Sequence, residues 1–207
     1  FDHFSIALSV GVQKMIRSDL GASGVMFTID TESGFRNTVL INSIYGLGEN
    51  IVQGRVNPDE FYVFKPTLAI ISRSIGKKTV KMIYNKGGKS PVKNIAVSAS
   101  DRLKPSISDA QVKKLAKWGI EIEEHYGRAM DIEWAIDGRD QSLYIIQARP
   151  ETVQSLRSLS VIEEYRLQKK GTVLVKGQSV GNKIGAGKTR RIMDVKQIHS
   201  FKPGEVL

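Results

Sequence analysis

The 207-residue sequence contains no cysteine. That absence excludes disulfide scaffolds, zinc and iron–sulfur sites held by cysteine, and thiol nucleophiles, and it fits a reducing, cytoplasmic setting. No apolar run approaches the ~20 residues that cross a bilayer, and the amino end lacks the basic and then apolar plan of a signal peptide, so we expect no membrane partner. The sequence begins at Phe1 rather than methionine. We therefore expect it to be a piece of a longer protein.

Acidic residues are scarce in one stretch, which accounts for most of the formal net charge of +10. Residues 73–104 contain nine basic residues and one acid, Asp101. Such a stretch could bind nucleic acid, but base recognition and stacking favour arginine and aromatic side chains. This stretch has only two arginines and Tyr84. We expect a solvated, lysine-rich hairpin with its loop at 86–89, and no nucleic-acid partner.

Hydrophobic patterning predicts an α+β (α/β) fold that is rich in sheet and has one long helix. Apolar residues recur at helical spacing from Ser108 to about His125, with Ser108 as the N-cap. Alternating or β-rich runs separated by turn residues predict strands. These runs are 24–29, 38–43, 61–65, 69–75, 78–83, 131–136 and 142–149.

The composition changes after Pro150, which predicts a domain boundary. Residues 153–170 are Ser-rich and then charged, as is typical of a connector, so the predicted domains are 1–152 and 171–207. The 37 residues after this linker are too few for an ordinary domain that has no disulfide or metal to stabilise it. We expect the second domain to be truncated.

The last two predicted strands carry the main candidate chemistry. If opposed residue numbers sum to 280, Glu133 faces Gln147 and Asp131 faces Arg149, and all four share one face because side chains alternate along a strand. A slip by one residue would place Glu133 among aliphatic side chains, which costs several kcal/mol for an unpaired charge. The opposite face then collects the apolar residues of the ribbon: Ile132, Trp134, Ile136, Tyr144, Ile146 and Ala148.

Glu133 and Gln147 are candidate metal ligands because carboxylate and amide oxygens suit Mg²⁺, which keeps waters and phosphate oxygens as its other ligands. Arg149 could hold phosphate oxygens through its planar guanidinium. The pattern alone is equally compatible with a solvent-facing hairpin in which Asp131 and Arg149 form an ordinary cross-strand pair.

A Gly-rich turn at 45–49 provides two further candidates, Glu49 and Gln53. Glycine lets a backbone approach a ligand closely, and these two side chains would then present polar groups to it. The segment lacks the third glycine and the strand–turn–helix context of a dinucleotide fingerprint. A simple loop explains it equally well.

Several long strings closely resemble the phosphoenolpyruvate synthase (pyruvate, water dikinase) family. In order along the chain they are GVQKMIRSDLGASGVMFT (11–28), DTESGF (30–35), YGLGE (45–49), VQG (52–54), NPDEFY (57–62), HYG (125–127), DIEW (131–134) and QARPET (147–152). The resemblance therefore runs through nearly the whole sequence.

The resemblance implies the carboxy-terminal part of an ATP-grasp nucleotide-binding domain, followed by the start of a swivelling phosphohistidine domain. It further implies that Glu133 and Gln147 bind the metal nucleotide, that Asp131 and Arg149 lie at the polyphosphate, and that Glu49 lies near the nucleotide sugar. The cofactors implied are ATP and Mg²⁺. The family's reaction converts pyruvate, water and ATP into phosphoenolpyruvate, AMP and phosphate through a phosphohistidine, and a homodimer of the full-length protein is expected.

The departures from the family pattern limit what these residues can do alone. The motif that carries the phosphohistidine is absent, as is the amino-terminal part of the ATP-grasp domain. We therefore expect the isolated 207 residues to be inactive. Two alternatives remain: another dikinase with the same nucleotide half, such as one like pyruvate phosphate dikinase, and a non-enzymatic, basic nucleic-acid-binding module.

Overall fold

The computed structural model describes residues 10–85, 87–88, 90–152, 168–169, 171–175 and 184–207. Contacts divide the chain into two compact units, Phe1–Arg157 and Ser158–Leu207. The linker predicted at 153–170 lies outside the described residues except for 168–169, and the predicted domain boundaries stay predictions. Within the described ranges, no helix combines the length and the apolar character needed to cross a bilayer.

The first unit is built on a six-stranded antiparallel sheet in the order β4-β3-β2-β1-β7-β8. Two further strands, β5 and β6, pair with each other in a separate antiparallel hairpin. The strands are β1 (Ala22–Phe27), β2 (Thr38–Tyr45), β3 (Asp59–Phe64), β4 (Ala69–Ser74), β5 (Val80–Tyr84), β6 (Val92–Ala96), β7 (Met130–Ile136) and β8 (Leu143–Pro150).

The long predicted helix is observed as α2 (Asp109–Tyr126) and covers one face of the sheet. It begins with a capping box, in which the Ser108 hydroxyl accepts from the Gln111 backbone N–H and the Gln111 side chain accepts from the Ser108 backbone N–H. It ends at Gly127, whose φ of 65° is the left-handed conformation that favours glycine. The helix buries one apolar stripe against the sheet: Val112, Leu115, Ala116 and Gly119. The helix leaves the other face of the sheet uncovered.

A second, very short helix, α1 (Glu49–Val52), follows the Gly-rich turn. The sequence predicted only a turn or loop here, because four residues flanked by glycines show no helical periodicity. The difference concerns the candidate site, since α1 carries Glu49, one of the predicted site residues.

A fully buried ion pair fixes the start of β3. The Lys78 ammonium donates to the Asp59 carboxylate and, at 2.9 Å, to the Gly76 carbonyl. The other Asp59 oxygen accepts from the backbone N–H and the hydroxyl of Ser106, both at 2.7 Å. The predicted strand from residue 78 therefore begins only at Val80, because Lys78 turns inward to Asp59. Buried charges of this kind are tolerated only when paired and hydrogen-bonded in this way.

The second unit has little regular structure among its described residues. Strand β9 (Lys188–Thr189) pairs in parallel with β10 (Glu205–Val206), and a 3-10 helix spans Val195–Ser200. Arg190, which follows β9, forms a bidentate ion pair with Glu205 of β10.

Candidate functional site

The β7–β8 ribbon places Glu133 directly opposite Gln147 and Asp131 directly opposite Arg149. This pairing follows from polarity, because Ile132 and Trp134, which alternate with the acids, are buried in the core under α2. The polar residues therefore lie on the sheet face that the helix does not cover.

The register of the ribbon changes by one residue beyond Glu133. Trp134 pairs with Ile145 rather than with Ile146, so Ile146 is the extra residue of a β-bulge. The expectation that Tyr144 and Ile146 share the core face with Trp134 was therefore wrong. Ile145 and Leu143 pack on the core instead, whereas Ile146 lines a cleft together with Glu133.

Asp131 and Arg149 form a cross-strand ion pair. The Asp131 Oδ2 atom accepts from Nε of Arg149 at 2.9 Å and lies 2.8 Å from an Nη atom of the same guanidinium. This hydrogen bond, and then the charges of Asp131 and Glu133, raise the pKa of Arg149. The Arg149 side chain is 65% exposed, and a guanidinium carries five N–H donors, so it can still bind an anion from solvent.

Glu133 and Gln147 make no side-chain hydrogen bond or ion pair within the described part of the chain, so their oxygens are available to a ligand. Glu133 is half-buried and Gln147 is exposed. No group of three or more His, Asp or Glu side chains that could hold a metal occurs among the described residues. A cation here would therefore need ligand or water oxygens to complete its coordination, which matches the way Mg²⁺ binds with nucleotides.

Glu133 opens into a cleft of about 360 Å³ over β1 and β7. Gly24 and Val25 of β1 line the cleft, as does Gly48 before α1. Glu49 also lines the cleft, so the structure brings two of the predicted site residues, Glu49 and Glu133, to one cavity. Gln147, Asp131, Arg149 and Gln53 are not among the residues that line it.

Gln53 supports Glu49 rather than lining the cleft. Its side-chain amide donates to Oε1 of Glu49 at 2.7 Å, and its backbone N–H donates to the Glu49 carbonyl at 3.0 Å. The second oxygen of the Glu49 carboxylate remains available to a ligand.

Two other residues that line the cleft, Lys14 and Tyr84, were assigned no role in it by the sequence patterns. The Lys14 ammonium donates to the Tyr144 hydroxyl at 3.3 Å, and this contact raises the pKa of Lys14. The Tyr84 hydroxyl lies 3.1 Å from the Met15 sulfur. These contacts join residues far apart in sequence, so no local pattern could have revealed them.

Comparison with known proteins gives a consistent result. The family model described as "Pyruvate phosphate dikinase, AMP/ATP-binding domain" matches residues 1–169. The chain is 56% identical over 215 residues to phosphoenolpyruvate synthase of Pseudomonas aeruginosa, and 54% identical over 218 residues to that of Synechocystis. It is 49% identical over 215 residues to phosphoenolpyruvate synthase of Escherichia coli.

Each of these alignments covers 100% of the chain but only 27% of the relative, so the chain spans about a quarter of the length of the proteins it resembles. The predicted α+β fold, rich in sheet and with one long helix, is confirmed, and the observed antiparallel sheet is consistent with a nucleotide-binding domain. The chain belongs to the family of pyruvate phosphate dikinase AMP/ATP-binding domains.

Proposed function

We propose that the cleft and the adjoining β7–β8 ribbon bind Mg–ATP as part of a phosphoenolpyruvate synthase. In the full-length gene product, ATP would phosphorylate a histidine outside this chain, and the phosphoryl group would pass to pyruvate. With water as the second acceptor, the products would be phosphoenolpyruvate, AMP and phosphate. The relatives that carry this name support the assignment, as does the family's AMP/ATP-binding description. We further propose a cytoplasmic homodimer.

The proposed roles follow from the chemistry of each side chain. Glu133 and Gln147 would hold Mg²⁺ through a carboxylate and an amide oxygen, and bound Mg²⁺ would neutralise charge on the polyphosphate. Arg149 would hold phosphate oxygens through its free N–H donors while Asp131 keeps the guanidinium in place. Glu49 would accept hydrogen bonds from the ribose hydroxyls, with Gln53 orienting its carboxylate.

One observation carries this proposal: Glu133 faces Gln147 across the ribbon while lining the same cleft as Glu49. A solvent-facing hairpin without function would give no reason for two carboxylates from distant elements to share one cavity. Glu133 and Gln147 would give oxygen ligands to the metal at the phosphates, and Glu49 would accept hydrogen bonds from the sugar.

The test replaces Glu133 by alanine in the full-length gene product and measures ATP binding calorimetrically as Mg²⁺ is titrated. Glu133→Ala should lose the Mg²⁺-dependent part of ATP binding and should abolish histidine phosphorylation, while the circular dichroism spectrum remains unchanged. Glu124→Ala, the same change at an exposed position of α2, is the matched control and should behave like the unaltered protein. Near-normal phosphorylation by Glu133→Ala would refute the metal assignment.

A further inference from the structure

The hairpin formed by β5 and β6, residues 80–96, is attached to the Gly-rich turn that precedes α1. The Leu47 backbone N–H donates to the Met82 carbonyl at 3.0 Å, and Gly46 forms an isolated bridge with Met82. Gly46 has a φ of +81°, and a Cβ atom at this position would lie 2.4 Å from the Met82 carbonyl oxygen. Only glycine permits this close approach, so the attachment is built into the backbone.

A side-chain hydrogen bond adds a second attachment between α1 and the hairpin. Asn50, which follows Glu49, is fully buried, and its amide nitrogen donates to Oδ1 of Asn94 at 2.8 Å. The Asn50 oxygen has no hydrogen-bond partner within the described residues. An apolar side chain would fill this buried position without leaving an oxygen unpaired, so burial alone does not explain an asparagine here. The bond to Asn94 does.

The position of α1 must depend on such contacts, because a four-residue helix is far below the length at which a helix is stable by itself. The hairpin also reaches the cleft directly. Tyr84 of β5 lines the cleft and touches Met15, and the Arg17 guanidinium lies 5.7 Å from the centre of its ring. The hairpin thus contacts two separate segments that line the cleft, residues 13–16 and α1.

We propose that Asn94 and Asn50 are positioning residues that fix Glu49 for the nucleotide sugar by holding α1 against the β5–β6 hairpin. This inference rests on the proposed nucleotide-binding function. Because Glu49 would contact the ribose rather than the phosphates, loosening α1 should weaken binding of a nucleotide but not of a ligand that has phosphates alone.

The test uses Asn94→Ala in the full-length gene product, with Ala96→Ser on the same strand as the matched control. Both positions are exposed, so neither change disturbs the core. Dissociation constants are measured for Mg–ATP and for Mg–tripolyphosphate, which lacks the ribose. Because Asn94→Ala loses one hydrogen bond, its dissociation constant for Mg–ATP should rise about three- to tenfold. Its dissociation constant for Mg–tripolyphosphate should not change. Ala96→Ser should change neither constant.

Two results would overturn the inference: unchanged Mg–ATP binding by Asn94→Ala, or equal weakening of both ligands. Asn50→Ala provides a double-mutant cycle. If the two amides act through one bond, Asn50→Ala should add little to the effect of Asn94→Ala, whereas additive effects would contradict the inference.

Glu49→Gln separates failure of the inference from failure of the proposed function. If Glu49→Gln selectively weakens Mg–ATP binding and Asn94→Ala has no effect, only the positioning role of Asn94 is contradicted. Absence of Mg²⁺-dependent ATP binding in the unaltered protein would overturn both.

Discussion

Gly24 shows how a single residue can control the packing around the site. It lies in β1, paired with Trp134 of β7 on one side and Ser43 of β2 on the other. A Cβ atom at Gly24 would lie 1.8 Å from the Asn42 carbonyl oxygen and 2.6 Å from the Trp134 ring. Because the first neighbour is backbone, a larger residue must displace the strand rather than a flexible side chain.

We therefore expect Gly24→Ala to destabilise the fold by about 1–3 kcal/mol, the usual range for overpacking a core. Urea unfolding followed by circular dichroism measures this loss. Gly11→Ala is the matched control, since a Cβ atom at Gly11 would meet nothing within 4 Å. Equal stability of the two variants would show that β1 can shift without cost.

The residues also show where sequence reasoning succeeds and fails. Polarity alone predicted the pairing of Glu133 with Gln147, because the alternative buries a charge. The bulge at Ile146 was not predictable, since Ile145 and Ile146 are both aliphatic and either one could face the core. The Asn50–Asn94 hydrogen bond joins residues 44 positions apart, so no local sequence pattern indicates it.

At the scale of elements, short segments depend on polar contacts rather than on intrinsic propensity. The 3-10 helix Ser18–Leu20 precedes β1, and Asp19 within it accepts two hydrogen bonds from the Arg17 guanidinium, at 2.7 and 2.8 Å. These bonds, and then the charge of Arg17, lower the pKa of Asp19. The Asp19 side chain is only 5% exposed, so solvent screens this pair weakly.

This lowered pKa predicts how stability depends on pH. A carboxyl whose folded-state pKa lies below its unfolded value contributes stability above the unfolded pKa, and that contribution is lost as pH falls through the folded pKa. Asp19→Asn should therefore lose about 1–3 kcal/mol at pH 7 and show a smaller further loss of stability below pH ~4 than the unaltered protein. Unfolding free energies measured from pH 7 to pH 2 test this, and parallel pH profiles would contradict it.

The elements differ in how far the sequence specified them. Helix α2 was predictable because its apolar spacing and its Ser108 cap agree with each other over 18 residues. Helix α1 was not, because four residues are too few to show a period. The strand order β4-β3-β2-β1-β7-β8 could not be predicted either, since β1 pairs with β7 across more than 100 residues.

At the scale of the whole molecule, we propose that this chain binds the nucleotide but cannot complete the reaction by itself. It supplies the residues proposed to bind Mg–ATP, and it spans only 27% of the phosphoenolpyruvate synthases it resembles. The sequence holds three histidines, and none lies in the family's phosphohistidine motif.

We predict that the isolated 207 residues form no detectable AMP from ATP and pyruvate. Chromatography of the nucleotides after incubation with Mg²⁺ measures this, and the full-length gene product serves as the positive control. AMP formation by the isolated chain that depends on pyruvate would contradict the prediction and would require an acceptor within these residues.

The bulge in β8 has a consequence for the shape of the molecule that can bind. In a regular strand, neighbouring side chains point to opposite faces, so an aliphatic and a polar contact on one face stand two residues, about 7 Å, apart. Here the extra residue, Ile146, lines the cleft, and the next residue in the chain, Gln147, faces Glu133 across the ribbon. We therefore expect the ribbon to suit a ligand in which an apolar and an anionic portion adjoin, because an aliphatic side chain at the cleft and a polar one beside it are consecutive in the chain.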